Sequence, residues 1–168
     1  MTELSSDPLV LGHVAITLIA IASGLYVLWS LLMDRLPAHS NQVFLAFTFL
    51  TSATGILIKP NLPPPSPAQV TAVIAFVALA VSLYAFYARH MAGRWRAAYV
   101  VTAVIGLYLN VFVLVTQAFD KIPALCATMP ACPAPGGPLF GAAQGAVLLA
   151  FLAAGWLAVK RYHAPAAA

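Results

Sequence analysis

AAYVVTAVIGLYLNVFVLVTQAF, running from Ala97 to Phe119, is the stretch that decides the fold. It carries no Asp, Glu, Lys or Arg, and at about 1.5 Å per helical residue it reaches across the roughly 30 Å hydrocarbon core of a bilayer. Four more uncharged stretches of comparable length lie at Leu9 to Met33, Asn41 to Ile58, Pro67 to Ala88 and Leu139 to Val159. Charged residues make up only 7% of the chain and hydrophobic ones 62%, against a charged share of roughly 25% in soluble domains. The pattern predicts an all-α integral membrane bundle of five transmembrane helices. The spans use nearly all of residues 1–168, so a single transmembrane domain is expected, and no fixed-period repeat points to an inverted-repeat transporter. The segment Met1 to Pro8 holds Glu3 and Asp7 and no basic residue, the wrong charge for the start of a cleavable signal peptide, so the first span is expected to be retained.

Orientation follows from the basic residues. With the amino terminus outside, the inner segments hold Arg35, Arg89, Arg94, Arg96, Lys160 and Arg161, and the outer ones only Lys59 and Lys121. That asymmetry predicts N-out, C-in, with a periplasmic amino terminus in a bacterial inner membrane. Trp29, Trp95 and Trp156 fall near the inner ends, at the depth where amphipathic rings anchor, and Tyr87, Tyr99 and Tyr162 join them. The same rim suits anionic lipid headgroups; no nucleic-acid partner is expected.

Cys126 and Cys132 both fall in the loop that this topology places outside, in an oxidising compartment, so a disulfide is expected. A redox dithiol normally shows two intervening residues and a neighbour that lowers one thiol pKa; neither feature is present. Ten of the 13 prolines lie in the two outer loops. Five of them, from Pro60 to Pro67, predict a stiff strap between spans two and three.

Helices associate in lipid through small residues and neutral polar side chains. Ala20 and Gly24, Thr51 and Gly55, Ala98, Thr102 and Gly106, and Gly141 and Gly145 recur at helical spacing and predict close-packing faces. The last pair is also compatible with a homodimer or a membrane protein partner.

No carboxylate or basic residue lies within a span, which argues against a proton pump or voltage sensor. His13, Gln69, Asn110, Gln117 and Gln144 fall at similar depth near the outer side. Together they predict an outward-facing ligand-binding or permeation pocket, with Lys59, Asp120 and Lys121 at its mouth. The competing expectation is that these side chains only fix helix packing. No activated nucleophile is visible, so a non-enzymatic accessory or binding protein is expected, with no catalytic residues. The spans offer no closely spaced pair of metal ligands, so no metal is expected. Haem b is the alternative cofactor, with His39 and His90 as an axial pair at the inner side and His13 alone at its own level.

Two blocks carry a family resemblance. Gly12-His13-Val14-Ala15 leading to Ser23-Gly24-Leu25 is one. The other is Leu107-Tyr108-Leu109-Asn110-Val111-Phe112-Val113-Leu114, running on to Gln117-Ala118-Phe119 and Lys121-Ile122-Pro123-Ala124-Leu125. They resemble a group of small proteobacterial inner-membrane proteins without an assigned activity, which implies the compartment and a multi-helix architecture. The first span with its His13, followed by Arg35, His39 and Thr51 to Gly55, is similar to cytochrome b561-like helical bundles. That likeness implies haem between histidines at paired depths, a pattern from which spans four and five depart by containing no histidine.

Overall fold

The computed structural model describes residues 8–58, 67–132 and 136–163, and among them there is no strand. Six helices follow in order: α1 Pro8–Leu32, α2 Ala38–Ile58, α3 Pro67–Leu83, α4 Arg94–Lys121, the short α5 Pro123–Cys126, and α6 Pro138–Arg161. A π-helical turn, Tyr84–Ala88, continues α3. Five of these segments are long and apolar enough to cross a membrane. The chain is therefore a multi-pass helical bundle. Its outward faces are apolar, with Leu57, Val77, Leu149 and Leu152 each more than half exposed, as lipid rather than water requires.

α4 is the central helix and touches each of the other four long ones. α2 lies between α1 and α3, which do not meet, and α6 packs on α4 and α1. α4 extends about a turn beyond the uncharged stretch at its start, where Arg94 and Arg96 join the helix.

The apolar core fills one half of the bundle. Val27 and Leu31 of α1, Phe44 and Leu45 of α2, Leu79 of α3, Tyr99, Val100 and Leu107 of α4, and Ala158 of α6 form one buried cluster. Gly24 makes the interlock possible: a Cβ there would meet Leu107 Cδ1 at 2.6 Å and Phe44 Cε2 at 2.7 Å. Gly155 allows a similar approach to Val104, at 3.2 Å. Gly141 and Gly145 face open space, so within the monomer the close-packing glycine of α6 is Gly155.

The core half ends at a basic rim. The Arg96 guanidinium donates to the carbonyls of Val159, at 2.8 Å, and of Tyr162, satisfying acceptors that the last turn of α6 leaves open. Arg89 lies over the Trp95 ring at 5.6 Å and Lys160 over Trp156 at 3.7 Å. His163 donates its backbone N–H to Asp34 Oδ1 at 2.6 Å, which ties the tail to the α1–α2 turn. That bond, and then the His163 side chain, hold the Asp34 carboxyl below its ordinary value of 3.8. A depressed carboxylate contributes its stability above the ordinary value and loses it as pH falls through the folded one. The His163 amide proton shift is accordingly expected to titrate with a midpoint below 3.8; a midpoint at or above that value would exclude the tether.

The opposite end carries the disulfide. Cys126 and Cys132 are bridged with their Cα atoms 5.5 Å apart, as expected from the sequence. Cys126 packs with Phe119 and Met129 in a small second cluster, closed by Phe140 edge-on to Phe119 at 5.3 Å. α3 begins at Pro67, as the proline spacing predicts; the rest of the strap, with Lys59, lies outside the described residues.

Candidate functional site

Buried polar side chains gather toward the disulfide half, above the apolar core. On α2 the buried positions are Asn41, Phe44, Leu45, Thr48, Thr51 and Ser52, a helical stripe whose last three residues are hydroxyl-bearing. On α4 the facing stripe runs through Ala103, Gly106 and Leu107 to Asn110. Thr48 reaches the gap left by Gly106, where a Cβ would lie 3.9 Å from its methyl carbon.

Above that point the four helices part and leave a cavity of about 80 Å³ among α1, α2, α3 and α4. Its polar lining is His13 and Thr17 of α1, Thr51 and Ser52 of α2, Thr71 of α3 and Asn110 of α4; no Asp, Glu, Lys or Arg contributes. Asn110 is 5% exposed and Thr51 8%. The Asn110 Nδ2 and Thr51 Oγ1 atoms are fully buried and have no hydrogen-bond partner among the described residues. A buried donor or acceptor left in that condition costs about 1–3 kcal/mol, and native structures seldom retain one without a reason.

His13 is oriented by a two-step relay. The Thr54 hydroxyl lies 2.7 Å from the Leu50 carbonyl and 2.7 Å from His13 Nδ1, so it ties the ring to the backbone of α2. The ring packs beside Gly55, where a Cβ would lie 3.4 Å from His13 Cε1, in ordinary van der Waals contact. Thr17 returns its hydroxyl to the His13 carbonyl at 2.8 Å and stays within α1.

Of the five side chains grouped from the sequence, His13 and Asn110 meet at this cavity. Gln144 lies elsewhere: its Nε2 donates across the α4–α6 contact to the Phe112 carbonyl at 3.0 Å and to Thr116 Oγ1 at 3.2 Å, an interhelical packing role. Gln117 shares the Asn110 face by periodicity but is exposed, and Gln69 is buried in the first turn of α3 without lining the cavity. At the end of α4, Lys121 is exposed and Asp120 half-buried. The hydroxyls of Thr51, Ser52 and Thr71 complete the site. Thr51 and Ser52 are visible in the sequence as neutral polar residues within a span, but nothing there assigns them to His13, and Thr71 carries no signal of its own.

The remaining histidines lie at the basic rim. His39 is exposed in the first turn of α2, and His90 is exposed in the turn before α4, with a left-handed backbone at φ 48°. His163 is engaged with Asp34. Neither His39 nor His90 lines the cavity or belongs to the apolar core. Among the described residues no three His, Cys, Asp or Glu side chains converge as a metal site.

Comparison of the chain with protein-family models, with curated proteins and with solved structures finds no match.

Proposed function

We propose that this chain is a non-enzymatic protein of a bacterial inner membrane, amino terminus on the periplasmic side, that binds a small polar molecule in the cavity of its outer half. The observation that carries this reading is the lining of that cavity, which gathers the polar side chains of His13, Thr17, Thr51, Ser52, Thr71 and Asn110 from four helices and no charged one.

The volume supports a small occupant. Sites for drug-sized ligands run to roughly 300–1,000 Å³, and this one is about 80 Å³. Below it, Phe44 and Leu107 interlock over Gly24 and oppose a continuous aqueous route toward the basic end, so binding is favoured over open permeation. The orientation is supported by the six basic residues clustered at one end and by the disulfide at the other.

Accessibility tests the reading. Both native cysteines are bridged, so a cysteine introduced at Thr51 reports alone. In intact membranes Thr51→Cys is expected to react with silver ion, a thiol reagent of a single atom, added from the periplasmic side. Ala103→Cys, in the apolar core, is expected to stay silent. A Thr51→Cys protein as unreactive as Ala103→Cys would leave no polar site to discuss.

A further inference from the structure

The central helix α4 is open to the bilayer along one side. α3 and α6 both pack on it but not on each other. On the α3 side Thr102 bonds to Ser82 at 2.7 Å. On the α6 side Val104 meets Gly155, and Tyr108 packs on Phe151 with ring centroids 5.8 Å apart. Between these two lines of contact Val101 is 46% exposed and Ile105 38%. Arg94, exposed, continues their helical stripe to the basic end. The result is an apolar groove floored by α4, walled by α3 and α6, with a cation at one mouth.

Its open length is that of one leaflet. Arg94 and Ile105 are eleven residues apart, about 16 Å along a helix, and half of a roughly 30 Å hydrocarbon core is about 15 Å. Beyond Ile105 the half-buried Tyr108 packs on Phe112, centroids 6.1 Å apart, as well as on Phe151, and raises the floor with an aromatic step. A partner helix would need the whole length of α4, whereas an acyl chain needs only the open part.

Charge selects the headgroup. Arg89 lies over the Trp95 ring beside Arg94, and Trp95 meets Tyr84 edge-on at 5.0 Å, a ring pair suited to headgroup depth. Among the described residues Asp34 is the only carboxylate at this end, and His163 holds it. Arg96 is engaged with the carbonyls of α6. Arg94 and Arg89 thus face the bilayer surface with no opposite charge from the chain.

We infer that this groove holds an anionic phospholipid of the leaflet at the basic end. Its phosphate lies between Arg94 and Arg89, where guanidinium groups favour it, and one acyl chain follows Val101 and Ile105 as far as Tyr108. The site needs only the spanning fold and does not depend on the cavity in the other half.

Trp95 is the reporter. With Trp29→Phe and Trp156→Phe, both at exposed positions, it is the one tryptophan left in the full chain. The protein is reconstituted in phosphatidylcholine with a rising share of brominated phosphatidylglycerol or, in parallel, brominated phosphatidylcholine. The brominated phosphatidylglycerol is expected to quench Trp95 at about tenfold lower mole fraction. Arg94→Gln is expected to reduce that preference about fivefold, the effect of one basic residue near the surface. Lys160→Gln removes a charge from the same rim, where it lies over Trp156 and not in the groove, and should change the preference less than about twofold. Val101→Phe, which overfills the floor, is expected to weaken the quenching with both arginines in place.

Equal losses from Arg94→Gln and Lys160→Gln would overturn the site and leave a diffuse attraction of the whole rim. Equal quenching by the two brominated lipids would overturn the headgroup assignment, and unaltered quenching in Val101→Phe the path of the chain. Quenching by neither lipid would mean that a second copy or another protein covers the groove, and would overturn the lipid itself.

Discussion

Gly24→Ala is expected to destabilise the bundle by about 1–3 kcal/mol, the usual effect of overfilling a packed core, and Gly24→Leu by more. The added methyl of alanine alone falls 2.6 Å from Leu107 Cδ1 and 2.7 Å from Phe44 Cε2, well inside van der Waals contact. Both neighbours are buried, Phe44 2% exposed and Leu107 1%, so either their side chains shift within a packed core or α1 moves away from α2 and α4. In lipid no hydrophobic force presses helices together, and close fit supplies much of what does, so the loss extends along the whole α1 contact. It includes the relay that orients His13 three turns away. Gly145→Ala provides the contrast: its Cβ meets nothing within 4 Å, and its effect should stay within about 0.5 kcal/mol. Denaturation of the purified proteins in mixed micelles measures both. Equal effects would mean that the α1 interlock does not hold the bundle.

The second large effect belongs to a polar pair buried at the other end of the core. Tyr99 and Asn41 are both fully buried, and the tyrosine hydroxyl donates to Asn41 Oδ1. Asn41 Nδ2 has no partner among the described residues. Tyr99→Phe removes the one bond that the amide oxygen makes and leaves the group stranded, at a cost of about 1–3 kcal/mol. Adding Asn41→Leu removes the stranded group itself, so the double variant should recover most of that loss and approach the wild type. The same denaturation assay, run as a double-mutant cycle, decides it. A Tyr99→Phe protein as stable as the wild type would show that Asn41 finds another acceptor or donor, and that this end of the bundle is wetter than its packing implies.

Much of this architecture is legible in the sequence because the membrane imposes few alternatives. Charge-free length identifies the spans, since backbone polar groups in lipid must close into helices. The Gly24 approach can be anticipated because a small residue at helical spacing has few other uses in such a helix. Partner choice is what the sequence does not encode locally. The Gly141 and Gly145 pair is the most conspicuous small-residue motif in the chain, yet in the fold it faces outward, while the unremarked Gly155 meets Val104. Periodicity puts Asn110 and Gln117 on one face, but α4 is flanked by different helices along its length. Asn110 meets the cavity and Gln117 is exposed. Gln144 shares its depth with His13 but lies on α6, which packs against α4 and α1 and not on α2 or α3, so it bonds to the Phe112 carbonyl instead. Depth is readable from chain position. Neighbours at that depth are set by how five similar cylinders choose to pack.

Asn41 and Asn110 together supply the most direct test of the binding site. Both are buried and both have an unpartnered Nδ2 among the described residues, but only Asn110 lines the cavity. Magnetisation transfer from water to the two side-chain amides, measured on the protein in lipid nanodiscs, separates them. A polar site open to the periplasm predicts strong transfer to Asn110 and little to Asn41, with the Asn110 signal falling as a bound small molecule displaces the water. An Asn110 amide as isolated from water as that of Asn41 would mean that the outer half of the bundle is dry and that its polar side chains only pack.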